Sequence, residues 1–183
     1  MRIIAGTLGG RLLKTIEGEG YRPAMGRTRE ALFSMLEARG LVWGESRVLD
    51  LFAGSGSLAF EALSRGARIA HLVESAAPAM RCLTENVHAL GLVEQCRLFK
   101  EDVLRFLKKP PAETFDLLFI DPPYGRDLLA PSLRLLLERG WLSPGAFITA
   151  EVEKEARLTI PQQYILEADR LLGRTRICIW TAA

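Results

Sequence analysis

The sequence predicts an α/β fold built on a mostly parallel sheet with helices on both faces, and three observations carry that prediction. Apolar runs of strand length alternate with stretches of helical periodicity from Arg47 to Glu153. One such run, Val48-Leu49-Asp50-Leu51-Phe52, passes through Ala53-Gly54-Ser55-Gly56 straight into an amphipathic stretch, the strand–turn–helix unit of nucleotide-binding sheets. The last two strands are joined by a short turn containing Gly173, which makes them an antiparallel C-terminal pair. With 183 residues, 49% of them hydrophobic, the chain is long enough for one sizeable core and is expected to form a single domain. Residues 1–40 read as a basic arm and helix, and residues 41–183 as the core.

The elements follow in order. Arg2 to Ala5 and Arg11 to Ile16 flank Gly6-Thr7-Leu8-Gly9-Gly10 and predict a small N-terminal β arm, hairpin or irregular. Gly18, Gly20 and Pro23 interrupt regular structure. From Arg27 to Arg39, Ala31, Leu32, Met35 and Leu36 recur at helical spacing, ending at Gly40. Strands are expected at Arg47–Phe52, Ile69–Glu74, Cys96–Lys100, Phe115–Asp121, Ala146–Glu153, Tyr164–Ala168 and Arg174–Thr181. Helices are expected at Ser57–Arg65, Ala76–Leu90, Val103–Lys108 and Leu128–Arg139.

Net charge is only +2, which is not a nucleic-acid signature, but its distribution is uneven. Arg2, Arg11, Lys14, Arg22, Arg27 and Arg29 crowd the head against Glu17 and Glu19, so that end is suited to phosphate. Cys82, Cys96 and Cys178 have neither metal-ligand nor disulfide-framework spacing, and His71 and His88 stand apart, so no metal is expected. No apolar stretch reaches membrane-spanning length, and a reduced, cytoplasmic protein is expected.

Two motifs carry chemistry. Gly54 and Gly56 permit positive φ and leave backbone open to a ligand, and the helix start offers N–H groups to an anion. Glu74 follows about twenty residues on, where dinucleotide folds place the acid that holds ribose hydroxyls. A nicotinamide oxidoreductase is therefore open on this motif alone, although Asp50 before the glycines is untypical of one. The second motif, Asp121-Pro122-Pro123-Tyr124, closes the apolar run Phe115 to Ile120. It supplies a carboxylate, a carbonyl fixed by two prolines without N–H groups, and an aromatic face. Together these suit a flat base with an amino group, its two N–H bonds taken by Asp121 and the Pro122 carbonyl while Tyr124 stacks on the ring. Asp50, Glu74, Asp102 and Asp121 all fall at strand C-termini, where open α/β sheets bind ligands.

These features resemble a known family. The glycine loop, Glu74, Glu101-Asp102 and Asp121-Pro122-Pro123-Tyr124 resemble the class I S-adenosylmethionine-dependent methyltransferases, with their Rossmann-like sheet. Arg2-Ile3-Ile4-Ala5-Gly6, Gly10-Arg11, Arg22-Pro23, Arg27-Thr28-Arg29-Glu30-Ala31-Leu32-Phe33 and Gly173-Arg174-Thr175 are similar to the bacterial 16S ribosomal RNA guanine-N2 methyltransferases over essentially the whole chain. The chain departs from that family's usual residues at Ala24, Gly26 and Ser75. The resemblance implies that Ala53, Gly54, Ser55 and Gly56 pack against the methionine part of S-adenosylmethionine, with Asp50 orienting the loop. It implies that Glu74 takes the ribose hydroxyls, Asp102 the adenine amino group and the Val103 N–H a ring nitrogen, with Thr28 and Arg29 covering the methionine end. The implied partner is 16S RNA within the small ribosomal subunit or its assembly intermediates, contacted by Arg2, Arg11, Lys14, Arg22, Arg27 and Arg126, and the enzyme is expected to act as a monomer. A DNA adenine-N6 methyltransferase shares the catalytic tetrapeptide but usually adds a target-recognition domain, and a non-catalytic RNA-binding module would need only the basic head.

Overall fold

A computed structural model describes residues 1–16, 26–123, 125–156, 158–173 and 175–182. Its strands are β1 (Arg47–Asp50), β2 (Ile69–Val73), β3 (Cys96–Phe99), β4 (Phe115–Ile120), β5 (Leu142–Glu153), β6 (Tyr164–Leu172) and β7 (Thr175–Ala182). Its α-helices are α1 (Gly26–Glu37), α2 (Ser57–Ser64), α3 (Ala77–Leu90), α4 (Val103–Leu107) and α5 (Leu129–Arg139). The seven strands form one sheet in the order β3-β2-β1-β4-β5-β7-β6. Pairing is parallel from β3 to β5, and β7 runs antiparallel to both β5 and β6.

Alternation along the strands builds two cores. Val48, Leu117 and Phe119 face Phe33 of α1, Phe60 of α2 and Leu83 of α3 on one side. Leu49, Leu118 and Ile120 face Phe106 of α4 and Leu133 and Leu136 of α5 on the other. Successive side chains of a strand point to opposite faces, so strands this apolar require helices on both.

Two boundaries differ from the sequence expectation by more than two residues. Pro144 and Gly145 look like a break, yet β5 starts before them at Leu142, because the Phe115–Leu142 pairing is followed by a register irregularity that accommodates the pair. Strand β6 extends to Leu172, with an irregularity between Leu166 and Ala168.

The N-terminal arm keeps only one bridge of the expected β structure, between Arg2 and Leu12. Backbone hydrogen bonds from Ile3 N–H to the Arg11 carbonyl at 3.0 Å, Gly10 N–H to the Ile3 carbonyl at 2.9 Å and Leu13 N–H to the Met1 carbonyl at 2.8 Å complete a short hairpin around it. Buried polar groups of α2 hold the arm to the core. Both oxygens of Glu61, a fully buried side chain, accept backbone N–H groups, from Ile4 at 2.7 Å and Ala5 at 3.0 Å. Thr7 N–H donates to the Ser64 carbonyl at 2.7 Å, and Leu8 N–H donates to the Ser64 hydroxyl at 2.9 Å. The approach is so close that a Cβ on Gly6, at φ +81°, would lie 1.8 Å from the Ser64 carbonyl oxygen. Only glycine fits there.

Candidate active site

The chain reverses direction across the sheet between β1 and β4, since β2 and β3 lie to one side of β1 and β4 and β5 to the other. Such a switch point opens a crevice beyond the strand C-termini. Asp50 ends β1 on one side of it, and Asp121 follows β4 on the other.

The glycine loop is fixed from both flanks. Glu74, buried at the end of β2, accepts the Gly54 N–H through Oε2 at 3.0 Å and the Ala76 N–H through Oε1 at 2.7 Å. An ionised carboxylate has about four acceptor positions, so both oxygens keep capacity for ribose hydroxyls. From α3, the buried Asn86 donates through Nδ2 to the Ser55 carbonyl and to the Lys14 carbonyl, each at 3.0 Å, and its Oδ1 accepts the Lys14 N–H at 2.9 Å. One amide thus ties the arm to the loop. Gly56 precedes α2 at φ +82°. The sequence suggests that its missing Cβ leaves room for a ligand, but the space is already occupied. An added Cβ would meet Phe60 Cε2 at 2.3 Å and Leu83 Cδ1 at 2.6 Å. Gly56 is therefore demanded by packing as well as by its backbone conformation.

Asp50 is 2% exposed, and its Oδ1 has no hydrogen-bond partner among the described residues. Burial raises its carboxyl pKa to about 7, against the pull of hydrogen bonds from the Phe52 and Ala59 backbone and with a further push from Glu74. A buried, unpartnered acid oxygen in the crevice fits a ligand that brings positive charge and N–H donors, and S-adenosylmethionine carries both.

Asp121 and its flanking residues lie along one line of β4 and β5. Ile120 pairs with Ala150, which sets Asp121 beside Glu151 on the neighbouring strand. Burial holds the Asp121 carboxyl well above the usual carboxylate range, and the charges of Glu151 and Asp50 push it further. Glu151 is raised as well, by burial, while the Thr175 hydroxyl opposes the shift. Two adjacent carboxyls resist double ionisation, so the pair is ready to accept N–H groups and a proton. Pro122 and Pro123 are half-buried and border a cavity of about 300 Å³ with Gly125, Asp127, Leu128 and Glu151. Its volume lies at the lower end of ligand pockets, roughly 300–1,000 Å³. Asp127 adopts φ 47° at its rim, a left-handed conformation that Asp tolerates better than most residues. Tyr124, expected to stack on the base, lies outside the described residues.

Other expected residues are dispersed. Asp102 is exposed and N-caps α4, its Oδ1 accepting the Arg105 N–H at 3.0 Å. Val103 is buried at the first position of α4, where the N–H has no partner within the helix. Thr28 is buried on α1, one turn before Leu32, which borders a second, smaller cavity with Asp121. Arg29 is 2% exposed, and its guanidinium donates to the Arg2 carbonyl and to Met1 Sδ, with Glu61 Oε2 at 3.9 Å from Nε. Its contacts are with the arm and with α2. Arg2, Arg11, Lys14, Arg27 and Arg126 are all exposed, and Arg22 lies outside the described residues. Arg11 also donates to the Ala89 carbonyl at 2.7 Å, and Lys14 pairs with Glu85 at 2.8 Å, so both help fasten the arm to α3.

Comparison with known proteins decides the family. A model of conserved hypothetical protein 95 matches residues 1–181. The chain belongs to that family. Its relatives include ribosomal RNA small subunit methyltransferase D of Haemophilus influenzae, 38% identical over 94% of this chain and 89% of that protein. The protein of the same name from Escherichia coli is 35% identical over 95% of this chain and 86% of its own length. A solved structure of a putative methyltransferase from Escherichia coli superposes with a TM-score of 0.88 at 33% identity, covering 100% of this chain and 97% of that one. The resemblance drawn from the motifs, and the Rossmann-like methyltransferase fold, are thereby upheld for this member of the conserved hypothetical protein 95 family.

Three polar residues that position this site escaped the sequence reading. Glu61 and Asn86 sit in helices whose apolar spacing gives no sign of a buried polar partner. Glu151 lies near the C-terminal end of β5, level with Asp121, and an acid near the end of an apolar strand is the available signal.

Proposed function

We propose that the protein transfers the methyl group of S-adenosylmethionine to the exocyclic N2 amine of a guanine in 16S ribosomal RNA, within the small subunit or its assembly intermediates. The reading rests on one observation: the Asp121-Pro122-Pro123 turn follows β4 at the switch point, on the strand next to β1 and its glycine loop, and its two prolines border a cavity of about 300 Å³. Ala53, Gly54, Ser55 and Gly56, with Asp50, Glu74, Asp102 and Val103, hold the cofactor, and Thr28 and Arg29 close the methionine end. S-adenosylmethionine supplies an electrophilic methyl group on a sulfonium.

The chain's own task is to present the amine. The N2 lone pair of guanine is delocalised into the ring, so Asp121 and the Pro122 carbonyl accept its two N–H bonds, return electron density to nitrogen and fix its direction. No protein donor reaches the Pro122 carbonyl among the described residues, which leaves it available. Positioning of this kind contributes roughly 7–11 kcal/mol in favourable cases. Asp121, or water beside it, would take the proton that the amine loses when it is methylated. Tyr124 stacks on the base, which must leave its helix or loop stack to enter. Arg2, Arg11, Lys14, Arg22, Arg27 and Arg126 meet RNA phosphates. Arm and core act as one catalytic domain, in the cytoplasm, as a monomer without a metal. No helix among the described residues is long and apolar enough to cross a membrane.

The test is transfer of labelled methyl to three acceptors in parallel: small subunits lacking the modification, naked 16S RNA and duplex DNA, followed by nucleoside analysis. N2-methylguanosine in subunits or their RNA is the expected result. N6-methyladenine in DNA would keep the catalytic turn and overturn the substrate.

A further inference from the structure

Two cavities border the catalytic turn. The larger is bordered by Pro122, Pro123 and the 125–130 segment, and the smaller by Asp121, Leu32, Leu58 and Ile177. Among the described residues, Glu151 is the one that borders both. The parallel register sets it level with Asp121, on the strand next to it. Asp121 and Glu151 both border the smaller cavity, so a base whose amine reaches Asp121 at the end of β4 presents its adjoining ring position toward Glu151.

That position identifies the base. In guanine, the atom next to the amine-bearing carbon on the pairing edge is N1, which carries a hydrogen. Asp121 and the Pro122 carbonyl absorb both N2 hydrogens, so N1–H is the donor left over, and an acceptor beside Asp121 is what it needs. In adenine and 2-aminopurine the same atom carries a lone pair, which would face a carboxylate oxygen. We propose that Glu151 is a specificity-determining residue that accepts the N1–H of the target guanine while Asp121 holds its amine. The inference rests on the guanine-N2 reading above. It explains why two carboxylates stand side by side where one acceptor would suffice for the amine: guanine brings one donor for each of them and a third for the Pro122 carbonyl. Hydrogen bonds from the base, charge-assisted at whichever carboxyl is ionised, offset the cost of burying the acids. A site committed to such a bond rejects an analogue that lacks the donor, because a desolvated acceptor is left unpaired.

The experiment uses the acceptor RNA identified by labelled methyl transfer, with guanine or 2-aminopurine ligated into the modified position. The wild-type chain and Glu151→Gln are compared by kcat/KM on each. The wild type is expected to favour guanine on the order of 10⁴-fold. Glu151→Gln, whose amide can turn a donor toward a bare N1, is expected to reduce that preference to about 10²-fold or less while S-adenosylhomocysteine still raises its Tm. Equal use of both bases by the wild type would overturn the proposal, and that comparison stands even if the variant fails to fold. A Glu151→Gln variant with unchanged activity on guanine and an undiminished preference would overturn it too. So would a loss of equal size on both bases, which would make Glu151 architectural. Failure of the guanine-N2 reading is distinct, since it appears as absence of N2-methylguanosine with the wild-type chain before any variant is made, and it would remove both.

Discussion

Replacing Asp50 with Asn should make the cofactor-free protein more stable at pH 8 than the wild type, relative to the same comparison at pH 5. The cause is the burial of Asp50, which is 2% exposed with Oδ1 unpartnered and whose carboxyl is pushed from 3.8 to about 7. A carboxyl raised on folding contributes stability that is full below its unfolded value and lost as pH rises through its folded one. Between those values the folded chain holds a proton that the unfolded chain has released, and the loss runs at about 1.4 kcal/mol per pH unit. From pH 5 to the folded value near 7, the wild type should therefore lose about 3 kcal/mol that the Asn variant keeps. At pH 5 the variant gains nothing and carries a buried amide N–H in place of the unpartnered oxygen, a cost of about 1–3 kcal/mol.

The assay is thermal or urea unfolding of both proteins at pH 5, 6, 7 and 8 and constant ionic strength. Groups common to the two chains cancel in the difference, Glu74 and Asp121 excepted, because they feel Asp50 directly. For a chain of this length, about 3 kcal/mol corresponds to a relative Tm change of roughly 6–12 °C between the extremes. With saturating S-adenosylmethionine the order at pH 8 should reverse, since the ionised acid is the form that the positively charged cofactor selects. A stability difference that stays flat from pH 5 to 8 would refute the argument that burial holds the Asp50 carboxyl above its ordinary value.

Further outcomes follow from the same geometry. Asp121→Ala should abolish methyl transfer while S-adenosylhomocysteine still raises the Tm, because the residue is assigned to the amine; equal loss of both properties would defeat that division. Gly56→Ala should cost about 2–4 kcal/mol, combining a left-handed backbone with overpacking against Phe60 and Leu83. Gly10→Ala, at φ +82° with nothing within 4 Å of its Cβ, should cost only about 1–2 kcal/mol, and unfolding curves that rank the two alike would contradict the packing argument. Neutralising Arg11 and Lys14 should raise the apparent RNA substrate constant and flatten its dependence on salt, with cofactor affinity unchanged. If neither quantity moves, the two side chains serve only their contacts with Ala89 and Glu85.

Local periodicity sufficed for much of the fold. The β1–loop–α2 unit, the apolar run of β4 and the Asp121-Pro122-Pro123 turn are each contained in a short stretch, and backbone sterics with strand or helix spacing dictate them without help from distant residues. The ends of β5 and β6 were harder to place, because pairing with β4 and β7 overrides the local signals of Pro144-Gly145 and of the bulge near Leu166. By itself, then, the sequence determined the alternation of elements, the glycine loop and the chemistry of the catalytic turn, since these depend on neighbours within a few residues. Only the tertiary structure decided that Glu61 and Asn86 clamp the arm, that Gly56 makes way for Phe60 and Leu83, and that Glu151 stands beside Asp121. Those facts depend on which strand neighbours which and on where a buried polar atom finds its partner, and all of these contacts but that of Gly56 with Phe60 join residues tens of positions apart that carry no mark of one another in the chain.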